Sequence, residues 1–275
     1  MAPHMAEFLG QEIIFEHITG GQGGSNGPRA AAAADPDGYS LFMGTIGNIA
    51  LLPNILPDYG VDPAKDFTPI IKLADTPNIL IAHPSLGAVT LDDVVAAAKA
   101  NPGAVKFHGI NERSIHMLEF KSLIAETDIN LSEVRPESGS EGAIEAILNG
   151  DIDLTITTGP RLLESIRGGD VVAIGAICPI RIGVYPDIPT MAELGLKTIG
   201  NGSWMGLFAP SGVPGEIVQQ LYEAARHASE QPDVIDALNE QAAAINISAS
   251  PADALAFVEG ETERLRQACV AANFF

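Results

Sequence analysis

At 275 residues the chain can bury one large or two modest cores, and its 46% apolar, 5% aromatic composition suits an α/β fold built from small aliphatic side chains. A net charge of −20 argues against nucleic acid and anionic membrane surfaces as partners. No apolar stretch approaches the roughly 18 residues needed to span a bilayer, and no export-signal pattern opens the sequence.

In chain order, Glu12 to Phe15 is a short apolar run of strand type. The stretch Thr19 to Arg29 carries glycines at 20, 21, 23, 24 and 27 and then Pro28, which a helix tolerates only in its first turn. A helix is therefore expected from Ser25 or Asn26 to just before Asp35-Pro36, with the next strand following from Leu41. The Gly44 to Asn48 loop should then open toward the same sheet edge, where ligands sit in open α/β sheets. Amides without obstructing side chains, gathered at a helix start, bind anions without a cation. The other reading is an ordinary β-to-α turn whose glycines serve only positive φ. The glycine spacing fits neither G-x-G-x-x-G nor a Gly-Lys-Ser/Thr nucleotide loop.

Further along, Phe67 to Leu73 and Asn78 to Ala82 read as strands. Thr90-Leu91-Asp92-Asp93 opens a helix that Asn101-Pro102-Gly103 ends, and a first interdomain crossing is expected there. Val105 to His108 then starts a second lobe, with Gly109 to Arg113 as its first loop and a helix from Ser114. Asn111 and Ser114 are candidate donors at that helix start. Arg113 reads either as a bidentate clamp for a carboxylate or as a solvated surface arginine. Ser138-Gly139-Ser140-Glu141 fits a capping box, so Ser138 reads as a cap ahead of a ligand contact, and the strand Leu154 to Thr158 can bring Thr157 or Thr158 to the cleft. Arg161 to Arg167 reads as a short helix, Val171 to Ile177 as a buried strand, and Pro189-Thr190 as the start of another short capped helix. Trp204 to Ala209 is the expected return crossing. Helices led by Pro214 and by Ser250-Pro251 close the chain as packing elements.

Several of these blocks together resemble the Bug-type solute receptors of tripartite tricarboxylate transporters. They are Gly20 to Gly27, Asp35-Pro36-Asp37-Gly38-Tyr39 with Gly44-Thr45-Ile46-Gly47, and Asp62 to Pro69. They continue with His83-Pro84-Ser85-Leu86, Tyr185 to Thr190, and Ser203 to Pro210. The resemblance implies a two-lobed, type II periplasmic-binding-protein-like α/β fold, each lobe a mixed sheet flanked by helices. Residues 1–104 plus 204–275 would form lobe 1, and residues 105–203 lobe 2. It also implies a periplasmic receptor, expected to be a monomer, that closes on a small carboxylate solute such as a di- or tricarboxylate, an amino acid or an aromatic acid. The solute would pass to membrane permease subunits.

Family members hold the carboxylate mostly with backbone amides and small hydroxyls from both lobes. On that basis the ligand-binding candidates are Gly21, Gly23, Gly24, Ser25, Asn26, Thr45, Ile46, Gly47, Asn48, Asn111, Arg113, Ser114, Ser138 and Thr157. Three departures stand out. The family's N-terminal strand and Pro/Gly-rich loop are expected to be missing, since Met1 to Ala6 resembles the middle of the first helix. Pro136-Glu137-Ser138-Gly139 replaces the family's Pro-Tyr-Lys-Gly, and Thr157 stands where an aspartate is usual. A ligand-sensing module for a signalling partner and an enzyme on a similar fold are the alternative readings.

No cofactor, metal set or nucleophile is expected. The six histidines pair with no ligand at metal spacing, no G-x-S-x-G elbow occurs, and Cys178 and Cys269 read as two buried thiols. The acidic surface repels an anionic solute at long range, screened within about 10 Å at 0.1 M salt. Capture therefore depends on short-range amides and local cations.

Overall fold

In the computed structural model of the protein, the described residues are all those other than 110–111, 136–138, 159–161, 179–180, 184, 197–199, 201 and 241–242. Of 139–141 only the backbone is described.

The chain opens with α1 (Ala2–Leu9), started by a proline in its first turn and stopped by Gly10 at φ 65°. The expected strand at Glu12 to Phe15 is not one: Ile14 is 81% and Phe15 75% exposed, and no ladder bond reaches them among the described residues. Local strand propensity is present there, but a strand also needs a paired neighbour. After the glycine loop, α2 (Asn26–Ala32) starts with Pro28 in its first turn and ends before Asp35. β1 (Phe42–Thr45) leads into a wide π-type turn over Ile46–Leu51, α3 (Leu52–Ile55) and α4 (Pro63–Asp66).

β2 (Phe67–Thr76) and β3 (Asn78–Ala82) follow, and then α5 (Leu91–Ala100). The α5 start is the expected capping box: Thr90 N–H donates to Asp93 Oδ2 at 2.9 Å and Asp93 N–H to Thr90 Oγ1 at 3.2 Å. Next come β4 (Lys106–His108), α6 (Ile115–Thr127), β5 (Ser132–Glu133), α7 (Gly139–Asn149) and β6 (Leu154–Thr158). They are followed by α8 (Leu163–Gly168) and β7 (Val172–Ile177). The expected helix at Thr190 is a capped turn: Thr190 N–H donates to Glu193 Oε2 at 2.8 Å, but only turns follow over 191–195. β8 (Ser203–Pro210), α9 (Gly215–Ser229), α10 (Pro232–Glu240), β9 (Ala244–Ile245) and α11 (Pro251–Ala271) complete the chain.

Two sheets result, in the orders β1-β8-β2-β9 and β5-β4-β6-β3-β7. The described ladders of the first are antiparallel; the second joins parallel β5-β4-β6 to antiparallel β6-β3-β7. The chain therefore changes sheets at Pro77, not after Gly103. Thr76 pairs with Ser203 in the first sheet, whereas Asn78 pairs with Thr158 and Ile177 in the second. Proline has no N–H to continue a ladder, so it suits a point where the strand leaves one sheet for the other.

The return passes through Gly202 at φ 72° into Ser203, beside the outgoing strand. A Cβ at Gly202 would stand 2.5 Å from the Ile177 carbonyl oxygen and 3.0 Å from that of Thr76. The two crossings are thus packed against each other. One core cluster spans both sheets, taking in Leu51, Tyr59, Leu80, Phe120, Ile156, Trp204 and Leu265.

Candidate functional site

The glycine loop closes on itself through backbone bonds from Gly24 N–H to Gly21 O and from Asn26 N–H to Gly20 O, each 3.2 Å. Asn26 Nδ2 donates to Thr19 O at 3.1 Å, so this side chain shapes the loop. Gly21 (φ 79°) lies over Ser25 and Asn26: a Cβ there would be 2.7 Å from Ser25 Oγ, 2.6 Å from Asn26 Oδ1 and 2.9 Å from Asn26 N. Ser25 is 0% exposed beneath it, and its hydroxyl has no hydrogen-bond partner. Leaving such a group unsatisfied costs about 1–3 kcal/mol.

The glycine loop rests on α3 and the residue after it. A Cβ at Gly23 would be 3.0 Å from Leu56 Cδ1 and 3.2 Å from Leu52 Cδ1, both just beyond the Ile46–Leu51 turn. The second loop is fixed from two sides: Thr45 N–H donates to Asn48 Oδ1 at 2.7 Å and Tyr59 Oη donates to Asn48 O at 3.1 Å. Burial pushes the Tyr59 phenol up to about 12, partly offset by Arg29, so it remains a donor at neutral pH. Arg29 in turn donates through Nε to Tyr59 O at 2.9 Å and through Nη2 to Asp58 O at 2.5 Å, tying α2 to the same segment. Ile46 is buried within this turn, while Thr45 is exposed and Gly47 and Asn48 are half-buried.

On the second sheet's side, Ser114 caps α6, its Oγ accepting from Met117 N–H at 3.1 Å and donating to Gly109 O at 2.6 Å. Arg113 and Glu112 precede it and are exposed. These two residues, with Gly23 and Leu52 from the first sheet's side, line a crevice of about 460 Å³. A neighbouring cavity of about 200 Å³ shares Arg113 and Glu112 and adds Lys121, Arg135 and Phe274. Arg135 pairs with both Glu112 and Glu133. Leu52 and Glu112 belong to no motif, and only their neighbours in sequence mark them.

Thr157, by contrast, is 2% exposed, sits opposite Ile79 in the β3-β6 ladder, and has an unpartnered hydroxyl. It lies outside the crevice lining. Asn111 and Ser138 fall outside the described residues. Of the polar candidates, Asn26, Asn48 and Ser114 spend hydrogen bonds on building the loops, and Arg113 lines the crevice with Gly23. Both cysteines are buried, with the Cys269 thiol raised by burial to about 11. Among the described residues, no group of three or more His, Cys, Asp or Glu could hold a metal ion, and no helix is long and apolar enough to cross a membrane.

Two α/β sheets joined by paired crossings, with loops from each side meeting at a crevice, define a bilobal solute-binding receptor. The sequence profile of the tripartite tricarboxylate transporter family receptors matches residues 1–271, and the chain belongs to that family. It is 31% identical over 236 residues to the Agrobacterium vitis UPF0065 protein in the TAR-I ttuE-ttuC' intergenic region, covering 86% of this chain and 67% of that one.

Its fold matches the R. palustris protein Rpa4515, solved with adipate, at TM-score 0.84 and 26% identity, covering 99% of this chain and 90% of the other. It also matches MatC (Rpa3494) from Rhodopseudomonas palustris, solved with bound malate, at TM-score 0.80 and 28% identity, covering 97% and 91%. The two-lobed periplasmic-binding-protein fold expected from the sequence is the observed one.

Proposed function

We propose that this chain captures a small carboxylate-bearing solute outside the cytoplasm, in the crevice between its two sheets, and delivers it to the membrane subunits of a tripartite tricarboxylate-type transporter. The observation that carries the reading is the meeting of Gly23, from the glycine loop, with Arg113, from the loop before α6, across one crevice of about 460 Å³. The glycine loop offers main-chain donors unobstructed by side chains. Arg113 offers a fork of N–H groups that matches a carboxylate in two places. Closure of the crevice would strengthen each of these bonds by excluding water. The dicarboxylates held by two structural relatives, adipate and malate, support the choice of solute class. The reading assigns no bond-breaking step to any residue.

A thermal-shift screen over di- and tricarboxylates, amino acids and aromatic acids tests this. A bound solute at 100 times Kd stabilises the native state by about 2.7 kcal/mol, a readily measured rise in Tm. A flat response across all of them counts against the reading. For the solute found, Arg113→Ala is expected to weaken binding about 10- to 100-fold, the range for a charge-assisted hydrogen-bonded pair. Calorimetric titration gives the number, and unchanged affinity would remove Arg113 from the site.

A further inference from the structure

The two crossings share one buried polar cluster. Asn78 is the first residue after Pro77, and Ser203 is the first after Gly202. Ser203 Oγ donates to Asn78 Oδ1 at 3.3 Å, and Asn78 Nδ2 lies 2.9 Å from each oxygen of Glu119. Glu119 comes from α6, on the second sheet's side, and is 3% exposed. Beside it, Trp204 Nε1 donates to Glu261 Oε2 at 3.2 Å, and Arg264 grips Glu261 through Nε at 2.7 Å and Nη2 at 2.9 Å, both from α11. Helix α6, both crossings and α11 therefore meet in one place.

Among the described residues, few groups stabilise a charge on Glu119. From β3 it receives one amide, and from β8 the Ser203 hydroxyl reaches it only through that amide. From α11 it feels Arg264, whose guanidinium is already engaged by Glu261. On its own helix, His116 stands one turn earlier, and Lys121 lies over the Phe274 ring, 5.5 Å from its centroid. Lys72, paired with Asp75, lies over Phe257, which packs edge-on against Trp204. Burial pushes the Glu119 acid up to about 8, against the opposing pulls of Asn78 and Arg264.

We propose that Glu119 is a proton-operated latch on the hinge formed by the two crossings. With its proton, the carboxyl donates to Asn78 Oδ1, and the turned amide donates through Nδ2 to Ser203 Oγ, so no charge is left in the dry cluster. When the proton leaves to solvent, the amide turns to face the carboxylate. One amide cannot replace the lost hydration of a charge, so water enters and α6 parts from the crossings. The hinge is tight below the transition and loose above it. The consequence for solute capture and release rests on the receptor reading, but the latch itself does not.

Trp204, the only tryptophan, reports on the cluster directly. Fluorescence of the full, solute-free chain titrated from about pH 6 to 10 is expected to show a one-proton transition near 8, absent in Glu119→Gln. Thermal unfolding adds a second readout. Because the native acid is weaker than the unfolded one, native stability falls as pH rises from the ordinary glutamate value toward about 8. The Glu119→Gln chain therefore has the higher Tm at pH 9, and the two converge at pH 5. If Glu119→Gln fails to fold, Glu119→Met carries the same expectation.

A transition that survives both substitutions belongs to another group and overturns the proposal, as does a wild-type chain with no transition. No solute is present in this titration. A failed solute screen with an intact Trp204 transition would thus remove the receptor reading and leave the latch standing.

Discussion

Gly202→Ala is expected to lower the unfolding free energy by about 2–5 kcal/mol. The residue sits at φ 72°, which costs a side chain roughly 1–2 kcal/mol. The added Cβ would also meet three backbone atoms: Ile177 O at 2.5 Å, Thr76 O at 3.0 Å and Pro77 Cα at 3.3 Å. No rotamer relieves a backbone collision, so the crossings must separate, at an overpacking cost of about 1–3 kcal/mol. Gly169 is the control. It has φ 80° with nothing within 4 Å of a Cβ, so Gly169→Ala should cost only the conformational share, about 1–2 kcal/mol. Urea unfolding followed through Trp204 measures both, and equal losses would show that the crossings are not in close contact.

Gly21→Ala is expected to weaken solute binding about 10- to 100-fold while leaving most of the stability in place. Its Cβ would press on Ser25 Oγ, Asn26 Oδ1 and Asn26 N from a φ of 79°. The loop is on the surface and can move away, so the fold loses only about 1–2 kcal/mol. That same movement carries the amides around Gly23 away from the crevice, and a donor displaced by 1 Å no longer makes a good hydrogen bond. Calorimetry paired with urea unfolding separates the two effects. A variant that binds as well as wild type would show that the glycine loop is only a turn.

Much of the element order is visible in local chemistry. Pro28 fixes where α2 begins, Thr90 with Asp93 marks the start of α5, and Ser250 with Pro251 that of α11. These signals depend on residues three or four apart, which a sequence displays directly. Sheet membership does not work that way. Phe67–Thr76 and Asn78–Ala82 look like consecutive strands of one sheet, but their partners lie at 203–210 and at 154–158 and 172–177. Nothing local states which partner each will find. Glu12 to Phe15 fails for the same reason: its pattern suits a strand, and no described strand pairs with it.

The candidate site divides similarly. The glycines of the first loop and Arg113 stand out by residue type, and the fold brings Gly23 and Arg113 to one crevice. Thr157 alternates correctly along β6 but points into the packed face shared with Ile79, because the strand's register, not its composition, decides exposure. Glu119 is marked in the sequence by its neighbours. It is a carboxylate set among Ile115, Met117, Leu118, Phe120 and Leu123, all of them buried on α6.

The most direct measurement is an amide-resolved NMR titration of the labelled chain with the solute that gives the largest thermal shift. The largest shifts should fall on Gly21 to Ser25, on Thr45 to Asn48 and on Glu112 to Ser114 together, as the proposed grip of one carboxylate by donors from both sides of the crevice requires. Shifts confined to one side, or centred elsewhere on the surface, would contradict it.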